Sequence, residues 1–84
     1  MKVTLKLYAT LSDLLPDSAR KTNAVVLELH PGTTIAQLIE RENLPLKLCH
    51  LVLLDGVFVP PLERPKRALA AGETLAIWPP IAGG

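Results

Sequence analysis

Only one stretch of this chain has the spacing of a helix longer than a turn, and segments of apolar–polar alternation flank it on both sides. In Thr34-Ile35-Ala36-Gln37, Thr34 can serve as N-cap while the Gln37 side chain reaches back, a capping box. Ile35, Leu38 and Ile39 follow at i, i+3 and i+4 and make one buried stripe. Asn43-Leu44-Pro45 ends the element near Glu42, because the residue before a proline avoids the helical region. A single helix covers only one face of a sheet, and that face becomes the core. The predicted fold class is therefore α+β, with about four to five strands packed on one main helix.

The strands are legible by period. Val3, Leu5, Leu7 and Ala9 share one face of Lys2 to Ala9, and Ala24 to Leu29 reads as a second strand. Between them Ser12-Asp13-Leu14-Leu15 predicts a short helical turn stopped at Pro16, followed by a polar connection through Asp17, Ser18, Arg20 and Asn23. Asp55-Gly56 between His50–Leu54 and Val57–Val59 is a strong hairpin signal and predicts an antiparallel pair. Pro60 to Ala70 holds three prolines and reads as an irregular surface connection, with Leu62 and Leu69 as inward anchors. After the turn at Ala71-Gly72-Glu73, Thr74 to Trp78 forms the last strand, ended by two prolines.

The face away from the helix should be polar, and it is not. Val52, Leu54 and Val59 alternate with Leu51, Leu53 and Phe58; Leu75 and Ile77 alternate with Ala76 and Trp78. Leu51, Leu53, Phe58 and Trp78 thus form a candidate partner-binding patch, since monomers rarely expose contiguous apolar surface and Trp is enriched at interface hot spots. The competing reading is a larger local core with Trp78 folded back over the sheet.

At 84 residues the chain is predicted to be one small domain over 1–78 with an extended functional tail over 79–84. It is 49% hydrophobic with a formal net charge of +1, and its one basic cluster, Arg64, Lys66 and Arg67, reads as a solvated loop, which argues against a nucleic-acid footprint. The aliphatic runs are far shorter than the roughly 20 residues that span a bilayer. The alternating amino end does not resemble a signal peptide, so neither membrane nor nucleic acid is an expected partner and a cytoplasmic location is expected. Cys49 is the only cysteine, which excludes an intramolecular disulfide or multi-cysteine metal site, and it reads as a small core residue. His30 and His50 sit apart from any acid or nucleophile pattern; no metal ligands and no bound cofactor are expected.

The ending Trp78-Pro79-Pro80-Ile81-Ala82-Gly83-Gly84 singles out the terminal carboxylate. Gly83 and Gly84 lack a Cβ, so the last peptide can enter a channel too narrow for other residues. Six residues from Pro79 reach about 20 Å when extended, and the two prolines favour that extension and reduce the entropy lost on docking. A frayed, functionless terminus is the bland alternative.

Taken with the turn and strand Ala71-Gly72-Glu73-Thr74-Leu75-Ala76-Ile77, this ending resembles the ubiquitin-like β-grasp sulfur carriers of the MoaD/ThiS type, and most nearly the small subunits of molybdopterin synthase. The resemblance spans essentially the whole chain and implies a mixed β-grasp sheet. Glu73 stands where an aspartate is usual, and Trp78 where the aromatic is often Phe; neither change threatens the chemistry. What the resemblance implies is a carrier: a ubiquitin-activating-type adenylating enzyme uses ATP on the carboxylate of Gly84, and a sulfur donor system converts it to a thiocarboxylate. Pro79, Pro80, Ile81, Ala82, Gly83 and Gly84 then insert into the large synthase subunit, where sulfur passes to cyclic pyranopterin monophosphate and forms the molybdopterin dithiolene. Such a protein is a co-substrate and not an enzyme. A thiamine-pathway carrier of the ThiS type, a ubiquitin-like modifier joined to lysines, and a non-covalent β-grasp interaction module remain alternatives.

Overall fold

The computed structural model of the chain describes residues 1–80. Five strands, β1 (Lys2–Leu7), β2 (Ala24–Glu28), β3 (Leu51–Leu54), β4 (Val57–Phe58) and β5 (Thr74–Trp78), form one sheet in the order β2-β1-β5-β3-β4. β1 runs parallel to β5 and every other neighbouring pair is antiparallel, so the sheet is mixed. Two α-helices lie in the connections: α1 (Asp17–Arg20), a single turn, and α2 (Ile35–Arg41).

The capping box forms as expected: the Gln37 backbone N–H donates to Thr34 Oγ1 at 3.2 Å, and the Thr34 N–H donates to Gln37 Oε1 at 2.9 Å. A helix this short is not stable alone in water. It is held by burial of Ile35, Leu38 and Ile39 in the same core as Val3, Leu5 and Leu7 of β1, Val52 and Leu54 of β3, and Leu75 and Ile77 of β5. Each such side chain contributes roughly 1.5–3 kcal/mol when fully removed from water.

The hairpin is also as expected. Asp55 and Gly56 have φ of 48° and 83°, the pair of left-handed conformations that suits a two-residue turn to strand twist. Asp55 does more than turn the chain: its Oδ1 accepts from the Thr74 N–H at 2.8 Å and its own N–H donates to the Thr74 carbonyl at 2.9 Å, so the hairpin tip is tied to the start of β5.

Four local expectations need correction. Ala9 does not extend the core face of β1; at φ 52° it bends the chain out of the ladder, lies exposed, and begins a 3-10 turn over Ala9–Leu14, earlier than the turn expected at Ser12. The polar connection after Pro16 contains the turn α1, which buries Ala19 and pairs Arg20 with Asp17 at 2.9 Å. Leu69 points inward as expected, but Leu62 is 82% exposed on the 3-10 turn Pro61–Glu63. Arg64, expected to be solvated with Lys66 and Arg67, is instead buried, while the other two are exposed.

Candidate functional site

Strand register brings the predicted patch together. Leu53 lies opposite Phe58 on one side and Ala76 on the other, and Leu51 lies opposite Trp78. The four residues therefore occupy adjacent rows on the face away from α2. Leu51 is 36% and Phe58 51% exposed, while Leu53 and Trp78 are partly buried.

Trp78 is neither free nor folded into the core. Its ring stacks flat on Tyr8, with centroids 4.2 Å apart and planes 3° from parallel. Tyr8 was missed in the sequence because its importance depends on the parallel pairing of β1 with β5, in which Lys6 faces Ala76 and Leu7 faces Ile77, so that Tyr8 next meets Trp78. Alternation along β1, which places Tyr8 with Thr4 and Lys6 on the outer face, was the available signal.

The backbone beside Trp78 is pinned from both sides. Tyr8 donates its N–H to the Ile77 carbonyl at 3.2 Å, and His50 donates its N–H to the Trp78 carbonyl at 3.1 Å. Pro79 and Pro80 have no N–H to continue the ladder, so regular pairing stops there. Pro79 is buried and Pro80 exposed. A groove of about 420 Å³, almost wholly apolar, lies between Ala9–Thr10, His50–Leu51 and Trp78–Pro80. Of the predicted tail, Ile81, Ala82, Gly83 and the reacting Gly84 lie outside the described residues.

The turn before β5 is fastened by Glu73. Its carboxylate accepts from the Ala70 N–H and pairs with Arg67 at 2.8 Å, while its carbonyl accepts from the Thr4 N–H at 3.0 Å. The longer acid at this position thus closes its own turn and bridges to the preceding loop. Cys49 is buried, and burial pushes its thiol above the ordinary range, with the Arg64 charge opposing more weakly. A thiol held protonated is a poor nucleophile, which fits the reading of Cys49 as a core residue. His30 and His50 are exposed. Among the described residues no three His, Cys, Asp or Glu side chains gather as a metal site, and no helix is long and apolar enough to cross a membrane.

The fold that carries this apolar sheet face and groove has counterparts among known structures. No curated protein sequence matches the chain. SAMP1 from Haloferax volcanii matches with a TM-score of 0.69 at 21% identity, over 100% of both chains. The Haloferax volcanii HVO 2177 protein matches with a TM-score of 0.75 at 21% identity, over 100% of this chain and 87% of its own. A chain of the complex of subunits 1 and 2 of the molybdopterin-converting factor from Helicobacter pylori matches with a TM-score of 0.62 at 16% identity, over 100% of both chains. At such identities these likenesses speak for the ubiquitin-like β-grasp fold. The ThiS family model, in contrast, matches residues 6–84 of the sequence itself. The chain belongs to the ThiS family, the ThiS/MoaD-type ubiquitin-like sulfur carriers.

Proposed function

We propose that the protein is the sulfur-carrying small subunit of a molybdopterin synthase, with the carboxylate of Gly84 as its reacting group. The observation that carries this reading is the root of the tail: a strand pinned through Trp78, two prolines that forbid further pairing, and an apolar face beside them. That arrangement suits a body that docks on its outer face and sends a thin end, up to about 20 Å long, into another protein's interior. The likeness to a chain of the Helicobacter pylori complex supports a partner subunit.

In the proposed cycle the Gly84 carboxylate attacks the α-phosphorus of ATP on an activating enzyme and releases pyrophosphate. The acyl-adenylate is then attacked by a persulfide sulfur, AMP leaves, and cleavage of the resulting acyl disulfide by a second thiol yields the thiocarboxylate. Its anionic sulfur is a good nucleophile toward cyclic pyranopterin monophosphate, and two loaded carriers supply the two sulfurs of one dithiolene. The carrier contributes no acid, base or metal ligand to this cycle; the large subunit and the activating enzyme are its catalysts, and a cytoplasmic location suits both. Leu51, Leu53, Phe58 and Trp78 form the docking patch, and Pro79, Pro80, Ile81, Ala82 and Gly83 deliver Gly84.

The full-length likeness to SAMP1 favours, as a second reading, a ubiquitin-like modifier joined through Gly84 to lysines. Affinity isolation from the native host, with mass spectrometry of the associated chain, separates the readings. Recovery of a molybdopterin synthase large subunit is expected; recovery of a thiazole synthase, or of lysine-linked conjugates, would keep the fold and replace the function.

A further inference from the structure

Arg64 is the one buried charged side chain among the described residues, 8% exposed. All three of its guanidinium nitrogens donate to backbone carbonyls: Nε to Val59 at 3.1 Å, one terminal nitrogen to Cys49 at 2.8 Å and the other to His50 at 3.2 Å. Burial of a guanidinium is costly, and an apolar side chain of similar volume would fill the same space without that cost. The cost is offset by what the fork can do that an apolar residue cannot: hold three peptide carbonyls from two segments at once. One of those peptides is decisive. In the Cys49–His50 peptide the Cys49 carbonyl accepts from Arg64, and the His50 N–H donates to the carbonyl of Trp78, the last residue before the prolines. His50 and Leu51 also wall the apolar groove at that point.

We infer that Arg64 is a positioning residue for the tail: through the Cys49–His50 peptide it fixes the carbonyl of Trp78, and so the direction in which Pro79 leaves the sheet and the shape of the adjoining groove. This rests on the carrier reading only for its functional consequence, because the positioning is measurable on the free protein. Arg64→Met removes all three donors while keeping most of the apolar stem; Arg64→Lys keeps the charge but loses the fork. Amide hydrogen exchange in the full chain is expected to accelerate at His50 by about tenfold or more in both variants, while the Leu29 amide, bonded to the Met1 carbonyl at the opposite end of the β1–β2 pair, exchanges as in the wild type. The fluorescence of Trp78, the only tryptophan, is expected to shift with it. In sulfur loading by the activating enzyme, Arg64→Lys is expected to raise KM by about tenfold with kcat little changed.

Equal acceleration at His50 and Leu29, or loss of cooperative unfolding in both variants, would make Arg64 a general stabiliser and overturn the inference. Unchanged His50 exchange, or a wild-type KM in Arg64→Lys, would overturn it as well. A wild-type protein that is not loaded at all would instead remove the carrier reading, and the exchange data would still decide the role of Arg64.

Discussion

Replacing Trp78 with Ala is expected to weaken docking and to lower stability by less than the loss of a core tryptophan would. A fully buried Trp→Ala change costs about 3–5 kcal/mol, but Trp78 is only partly buried, and its defined contact is the flat stack on Tyr8 at 4.2 Å. That stack contributes about 1 kcal/mol beyond area burial. A total loss of about 2 kcal/mol follows, which lowers the unfolding midpoint of a domain this size by roughly 8–16 °C. A double-mutant cycle of Trp78→Ala and Tyr8→Ala, read by denaturant unfolding, is expected to return a coupling of about 1 kcal/mol. In the complex, Trp78 is expected to behave as an interface anchor, with binding to the large subunit weakened by about 2 kcal/mol, or about 30-fold. A stability loss above about 4 kcal/mol with unchanged partner affinity would refute this reasoning and make Trp78 a core residue.

Further outcomes can be checked separately. Thr34→Ala removes one half of the capping box of a two-turn helix and is expected to cost about 1 kcal/mol, seen as a lower unfolding midpoint with native circular dichroism; no change would mean that packing alone holds α2. Glu28 is hydrogen-bonded to and charge-paired with the Met1 ammonium, and Lys2 adds a smaller pull, so its carboxyl lies below the usual range despite some opposing desolvation. Because the folded value is depressed, this stabilisation is present above the unfolded carboxylate value of about 4.3 and is lost as pH falls through the folded value. The midpoint gap between wild type and Glu28→Gln is expected to close over that acid range, and a gap independent of pH would contradict the pairing. One residue added after Gly84 is expected to abolish sulfur loading while leaving the unfolding curve unchanged, and normal loading would sink the proposed cycle.

The elements governed by local rules were legible in the residues. Asp55-Gly56 declared the hairpin, Thr34 and Gln37 declared the helix start, and period-two alternation placed Val3, Leu5, Leu7, Leu75 and Ile77 in the core. Features that depend on distant partners were not. Arg64 reads as a surface charge in Pro60 to Ala70, and only the carbonyls of Cys49, His50 and Val59, brought together by the folded loop to accept from its guanidinium, make its burial favourable. Tyr8 becomes part of the site only through the parallel pairing of β1 and β5, a contact between strands at opposite ends of the sequence. Ala9 was expected to follow the alternation of β1, and nothing in its small side chain announces a φ of 52°. The outer patch was readable because each of its residues sits in a locally alternating strand, while its adjacency to Pro79 and the groove required the register.

Conversion of the terminal Gly84 carboxylate to a thiocarboxylate can be read by intact-mass and fragment-ion mass spectrometry of the chain isolated from its native host under non-reducing, metal-free conditions. A mass increase equal to exchange of one oxygen for sulfur is expected, located at Gly84 and absent after disruption of the activating enzyme. An unmodified carboxylate under conditions of active molybdopterin synthesis, or Gly84 found only in isopeptide bonds to lysine, would contradict it.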